Sequence, residues 1–179
     1  MVTVSWEVMT KLYREIFVEM LDSIHTPFPE CIKLVCDNIT LDPYFKDFYA
    51  WAKENGVPVV IVSSGMLPVI KALLEHLLGP AANEIDIIAN DTIDRPGKSR
   101  EEADGWTIQF RDESGFGHDK SRSLRPYAEH FNNRPNEVRP TLLYAGDGVS
   151  DLSAARETDL LFAKKGHGKS LTLHSTKRY

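Results

Sequence analysis

Cysteine is scarce in this chain: of 179 residues, only Cys31 and Cys36 carry a thiol. Two thiols five positions apart, with no second pair elsewhere, give neither a zinc-ligand spacing nor a disulfide framework, so reduced core cysteines are expected. No apolar run is long enough to cross a bilayer, and no signal-peptide pattern opens the chain. The expectation is a cytoplasmic protein with no membrane partner. Long basic runs are missing too, and the net charge is −5, which argues against nucleic acid as a partner. Internal repeats and low-complexity tracts are absent. What remains, with 42% hydrophobic residues, suffices for one core, expected as a single α/β domain with a small helical insert.

Three segments carry chemistry. The apolar run Thr141 to Ala145 reads as a buried strand, and Gly146-Asp147-Gly148-Val149-Ser150-Asp151 follows it. Asp147 at the strand's carboxyl end and Asp151 in the first turn of the next helix could face one point in the crevice where open α/β sheets bind ligands. Hard oxygen ligands of this kind suit Mg²⁺ holding a phosphate. An Asp-Gly turn with an N-capping residue fits the same letters. The second segment is the strand Val57 to Val62, then Ser63-Ser64-Gly65-Met66 as a turn, then an amphipathic helix from Leu67 to Leu78 stopped by Gly79-Pro80. A hydroxyl and free N–H groups at a helix start make an anion site, although the same residues serve as an ordinary cap. The third is Gly115-Phe-Gly-His118-Asp119-Lys120-Ser121, which delivers a lysine to the start of a helix. A cation there opposes the helix dipole and makes sense facing a phosphate or carboxylates; a solvated lysine is the plainer alternative.

The rest of the chain supplies a frame. Trp6, Met9, Tyr13, Phe17, Met20 and Ile24 recur at helical spacing over Ser5 to Ile24, and Thr26-Pro27 ends that helix. A second helix follows Pro29, with Cys31, Ile32, Leu34, Val35 and Ile39 as apolar positions. A third runs from Tyr44 to Asn55 and stops at Gly56. Ile85 to Ile93 and Gly105 to Arg111 read as strands joined by a charged, exposed connection, Asp94 to Asp104. His118, beside Lys120, could meet substrate, although a lone loop histidine is more often just exposed.

The order of these segments resembles motifs two, three and four of the haloacid dehalogenase superfamily of phosphohydrolases. The resemblance runs from about Phe17 to Lys165 and is closest to the phosphoserine-phosphatase-like branch and its small fungal phosphatases. It rests on Met20 to Lys33, Val60-Ile-Val-Ser-Ser-Gly-Met66, Phe116-Gly-His-Asp-Lys-Ser121 and Gly146-Asp-Gly-Val-Ser-Asp-Leu-Ser-Ala-Ala155. It implies a parallel Rossmann-like sheet with a helical cap, Mg²⁺ as cofactor, and hydrolysis of a small phosphorylated metabolite through an aspartyl-phosphate. Ser63 takes the position of the hydroxyl that holds the phosphoryl group, with Ser64 and Gly65 beside it. Lys120 takes that of the balancing cation, and Asp147 and Asp151 those of the metal-binding pair.

One departure matters. The family's first motif, Asp-x-Asp-Gly-Thr, supplies the nucleophile and the general acid–base, and no Asp-x-Asp occurs in this sequence. Asp37, in Leu34-Val-Cys-Asp-Asn-Ile-Thr40, offers one carboxylate where two are needed. The resemblance therefore implies a cap remnant over 1–42, a core over 43–166 lacking its central first strand, and an unstructured tail over 167–179. Met1 to about Lys11 is expected to replace a longer region, which makes this a truncated form. Two readings follow: a Mg²⁺-dependent phosphatase completed by such a segment, or a non-catalytic relative that binds phosphate, metal or a partner. Unpaired sheet edges are expected to favour association.

Overall fold

The computed structural model describes residues 6–130, 138–146 and 151–163. The chain divides into two compact units, residues 1–118 and 119–179.

The first unit opens with helices α1 (Trp6–Asp22), α2 (Phe28–Asn38) and α3 (Phe45–Glu54). Strand β1 (Val60–Met66) leads directly into α4 (Leu67–Leu78), and a 3-10 turn over Gly79–Glu84 leads to β2 (Asp86–Asp94) and then β3 (Trp106–Gln109). The strands lie in the order β1-β2-β3, with β1 and β2 parallel and β3 antiparallel to β2. The hand of each pairing follows from its connection. Helix α4 makes the crossover that parallel strands need, whereas the link from Asp94 to Trp106 contains no helix and simply turns back. That link is exposed, as expected, and it is tied down. Arg100 Nε bonds Asp94 Oδ1 at 2.8 Å, Arg100 O accepts from Phe28 N at 2.8 Å, and Asp104 pairs with His25.

The core of this unit gathers Leu21, Phe28, Trp106 and Ile108, with Phe17, Val18, Ile24, Cys31, Ile32, Met66, Val69 and Phe110 packed around them. Trp106 stacks edge-on against Phe28 at 5.0 Å, and its Nε1 donates to Thr26 O at 3.0 Å. A buried indole thus keeps its polar group satisfied where the chain turns between α1 and α2. The helix expected to reach Ile24 ends at Asp22, and its buried stripe differs from the expected one: it passes through Phe17, Val18 and Leu21, with Ile24 packing just past its end, whereas Tyr13 and Met20 are exposed. Leu34 on α2 and Ile39 just past its end are exposed as well. Both cysteines are free and lie on α2; partial burial, and then Glu30, push the Cys31 thiol upward.

One boundary is corrected. The strand expected over Val57 to Val62 runs instead from Val60 to Met66. Val57 N is taken by Ala52 O at 2.8 Å, closing the end of α3, and Pro58 has no N–H to give. The ladder can therefore begin only beyond them, and it continues through the serines that were expected to form a turn.

The second unit contains α5 (Lys120–Glu129), β4 (Leu143–Gly146), α6 (Asp151–Ala155) and β5 (Leu160–Ala163). Strands β4 and β5 pair in parallel, from Leu143 opposite Leu160 to Gly146 opposite Ala163. The expected tail over 167–179 lies outside the described residues.

Candidate active site

Within β1 the register against β2 jumps. Val62 lies opposite Ile88 and Met66 opposite Asn90, so Ser63, Ser64 and Gly65 together face the single residue Ala89. The expected turn is thus a bulge inside a strand, the device that re-aims side chains at the rim of a sheet. Two side chains hold it. Asn90, 1% exposed, donates from Nδ2 to Ser64 O at 2.7 Å and accepts Arg111 N on Oδ1 at 2.9 Å. His118, also 1% exposed, donates from Nδ1 to Ser63 O at 2.7 Å. The carbonyl has no proton, so the imidazole must supply one at Nδ1.

The hydroxyls of the bulge are set differently. Ser63 Oγ accepts Gly65 N at 3.0 Å, which leaves its own O–H as a donor. Ser64 Oγ is buried without a hydrogen-bond partner among the described residues. A side chain on Gly65 would bring a Cβ to 3.3 Å from Ser63 Oγ. The N–H groups expected to make an anion site at the start of α4 are fewer than foreseen, because that of Gly65 is used and Pro68 has none. Any anion here would depend on hydroxyls more than on backbone amides.

The glycine-rich segment ahead of Lys120 is a tight loop in the first unit. Arg14 Nη1 donates to Asp112 O at 3.0 Å and Ser114 O at 3.1 Å, and its guanidinium lies 4.3 Å from the centre of the Phe110 ring. Gly117 has φ +73°, and a Cβ there would lie 2.0 Å from Phe110 Cδ1. Only glycine fits, on both counts. The loop delivers His118 inward. The reading of His118 as an exposed loop residue is therefore corrected: its ring is spent on the Ser63 carbonyl. The letters Gly-His-Asp-Lys carry no signal of that, since the partner is 55 positions away.

In the second unit, Asp119 caps α5, its Oδ1 accepting Ser121 N at 3.0 Å and Ser121 Oγ at 2.7 Å. Lys120 is the first residue of that helix, against the dipole as anticipated, and its anionic partner is a carboxylate: Nζ lies 2.6 Å from Asp151 Oδ1. Tyr144 on β4 donates its hydroxyl to the same oxygen at 2.7 Å. The pair is nearly dry, with side chains 11% and 8% exposed. Asp151 Oδ2 packs over Gly146, where an added Cβ would sit 2.4 Å away. Glycine at the end of β4 thus makes room for the carboxylate. Sequence reading missed Tyr144, and it expected a buried strand where Tyr144 is the buried residue of β4 and its neighbours Leu143 and Ala145 are exposed.

Asp147 lies outside the described residues. Among the described residues no group of three or more metal-ligating side chains forms. The donor type fits a hard dication, as Asp151 offers carboxylate oxygens at a strand's carboxyl end, although Oδ1 is already engaged by Lys120 and Tyr144.

The chain belongs to the haloacid dehalogenase-like hydrolases, whose family pattern matches residues 4–156. Over 160 residues it is 54% identical to the polyol phosphate phosphatase PYP1 of Saccharomyces cerevisiae, covering 88% of this chain and 64% of that protein. Over 156 residues it is 47% identical to the Pdp3-interacting factor 1 of Schizosaccharomyces pombe, covering 86% and 63%. The chain therefore spans slightly less than two thirds of the length of these relatives. No helix among the described residues is long and apolar enough to cross a membrane.

Proposed function

We propose that this chain carries the phosphate- and metal-holding part of a Mg²⁺-dependent phosphomonoester hydrolase acting on a small phosphorylated metabolite. The observation that carries the reading is the buried Lys120–Asp151 pair, formed by the first residues of two helices and braced by Tyr144. A lysine placed against a helix dipole and fixed by a carboxylate is a preset cation for a transferring phosphoryl group. Ser63 would hold that group by its hydroxyl, with Ser64 and Gly65 shaping the bulge. Asp147 and Asp151 would hold Mg²⁺, which when bound would neutralise phosphate charge. The helices within 1–42 stand as the cap. A relative named as a polyol phosphate phosphatase supports a phosphorylated polyol or similar small metabolite as substrate. Family chemistry would run through an aspartyl-phosphate, and because the sequence contains no Asp-x-Asp, the attacking carboxylate must come from a segment that carries one.

That lack supports a second reading, a non-catalytic protein that keeps phosphate and metal ligands, and the other relative's name as an interacting factor is compatible with it. Hydrolysis of a generic aryl phosphate with Mg²⁺ separates the two. The 179-residue chain alone should not turn over. Fusion to a family member's first strand and Asp-x-Asp should produce Mg²⁺-dependent hydrolysis that Asp147→Asn abolishes. A folded, soluble fusion without activity would count against the enzyme, and turnover by the chain alone that Asp147→Asn removes would refute the need for the missing motif.

A further inference from the structure

His118 and Asn90 have the same exposure, 1%, and are the largest fully buried side chains among the described residues. Both spend a hydrogen bond on the same three-residue bulge. One takes the carbonyl of Ser63 and the other that of Ser64, two consecutive peptide oxygens within the stretch where the β1–β2 register jumps. Carbonyls left unpaired in such a part-buried place are costly, so a strand without these two donors would be driven to a regular register. A regular register would re-aim the serine side chains, since each one-residue shift moves a side chain to the other face of the sheet.

We propose that His118 and Asn90 are positioning residues: they clamp the Ser63–Gly65 bulge from two sides and so set the serine hydroxyls for an anion. Neither touches the anion itself. His118 acts by its Nδ1–H, brought in by the loop that Arg14 and Gly117 shape. This deepens the phosphate-holding role of Ser63 and rests on it. It also explains a histidine two residues before Lys120 without making it an acid or a base.

The test uses the full 179-residue chain, inorganic phosphate titrated by calorimetry, and amide NMR of Ser64 and Gly65. His118→Ala removes the donor, whereas His118→Asn keeps an N–H near the position of Nδ1. With phosphate, His118→Ala should weaken binding at least about tenfold, the size of one lost positioning hydrogen bond, and His118→Asn should stay within about threefold. Asn90→Ala should match His118→Ala, and Ser63→Ala should lose binding outright. A merely structural histidine would lower the melting temperature and leave phosphate affinity unchanged in the folded variant. That result, or equal losses for alanine and asparagine at 118, overturns the proposal. If the wild-type chain binds no phosphate, the phosphate reading of Ser63 fails, and the clamp is then judged by the amides alone. They should move in His118→Ala and hold in His118→Asn, and amides indifferent to both changes reject it.

Discussion

Lys120 shows how a single side chain can look wrong locally and right in context. At the first position of a helix its charge is opposed by the dipole, and burial adds a desolvation cost. Both are offset by Asp151, whose Oδ1 receives the ammonium at 2.6 Å and the Tyr144 hydroxyl at 2.7 Å. Such a pair seldom adds net stability, but removing one partner strands the other in a dry place. Lys120→Met should therefore cost about 3–5 kcal/mol, while Lys120→Met combined with Asp151→Leu should recover most of that loss. Equilibrium urea unfolding at low protein concentration reads both. A single variant as stable as wild type would mean that the pair is solvated and the argument from burial fails. If the double variant is the more stable protein, the ion pair is kept for what it does to a ligand and not for what it does to the fold.

Among the structural elements, the one that sequence patterning described worst is β1, and the reasons are specific. Helix α4 was legible to the residue, since an apolar face bounded by Gly79-Pro80 is local information. The start of β1 was not, because it depends on Val57 N closing α3, and its bulge depends on Asn90 and His118, which are distant in the chain. That Lys120 would face an anionic group was legible from its place at a helix start, but that this group is Asp151, with Tyr144 on the same oxygen, was not. The start of the second unit's sheet shows the same dependence on a distant partner. Asp159 accepts Leu142 N at 2.8 Å and takes two bonds from Arg139 Nη1 at 2.8 and 2.9 Å, joining the approaches to β4 and β5. The Leu142 N–H above all, with help from Arg139, holds its carboxyl below the ordinary aspartate value, against the opposing effect of partial burial. A depressed folded value means that this contribution is complete above the unfolded pKa of about 4 and is lost as pH falls through the lower folded value. Melting temperatures of wild type should drop more steeply below pH 4 than those of Asp159→Asn, which should start lower at neutral pH. Parallel curves for the two proteins would show that the carboxylate is not coupled to folding.

For the molecule as a whole, the decisive question is what covers its apolar surface. Among the described residues β1 pairs only with β2, and β4 only with β5, so each unit has a strand with one edge unpaired. Neither edge is guarded: Val60 to Met66 contains no lysine and no proline, and Leu143 to Gly146 contains none either. Such strands are templates for pairing with another chain. In the second unit Leu143, Leu160 and Phe162 are each more than half exposed, at 56%, 53% and 57%. In the first, Tyr44, Phe48 and Trp51 recur at helical spacing on or beside α3 and are exposed as well. Exposed apolar area of this kind drives association with a favourable free energy near 25 cal/mol per Å² buried. A net charge of −5 opposes it only through repulsion that salt screens. The chain by itself should therefore associate as its concentration rises through the micromolar range, more strongly at high salt than at low. Sedimentation velocity at several concentrations and two ionic strengths measures this directly. A monomer that persists across the series and unfolds in one sharp transition would mean that these edges and faces are covered within the chain, and the expectation of association would have to be abandoned.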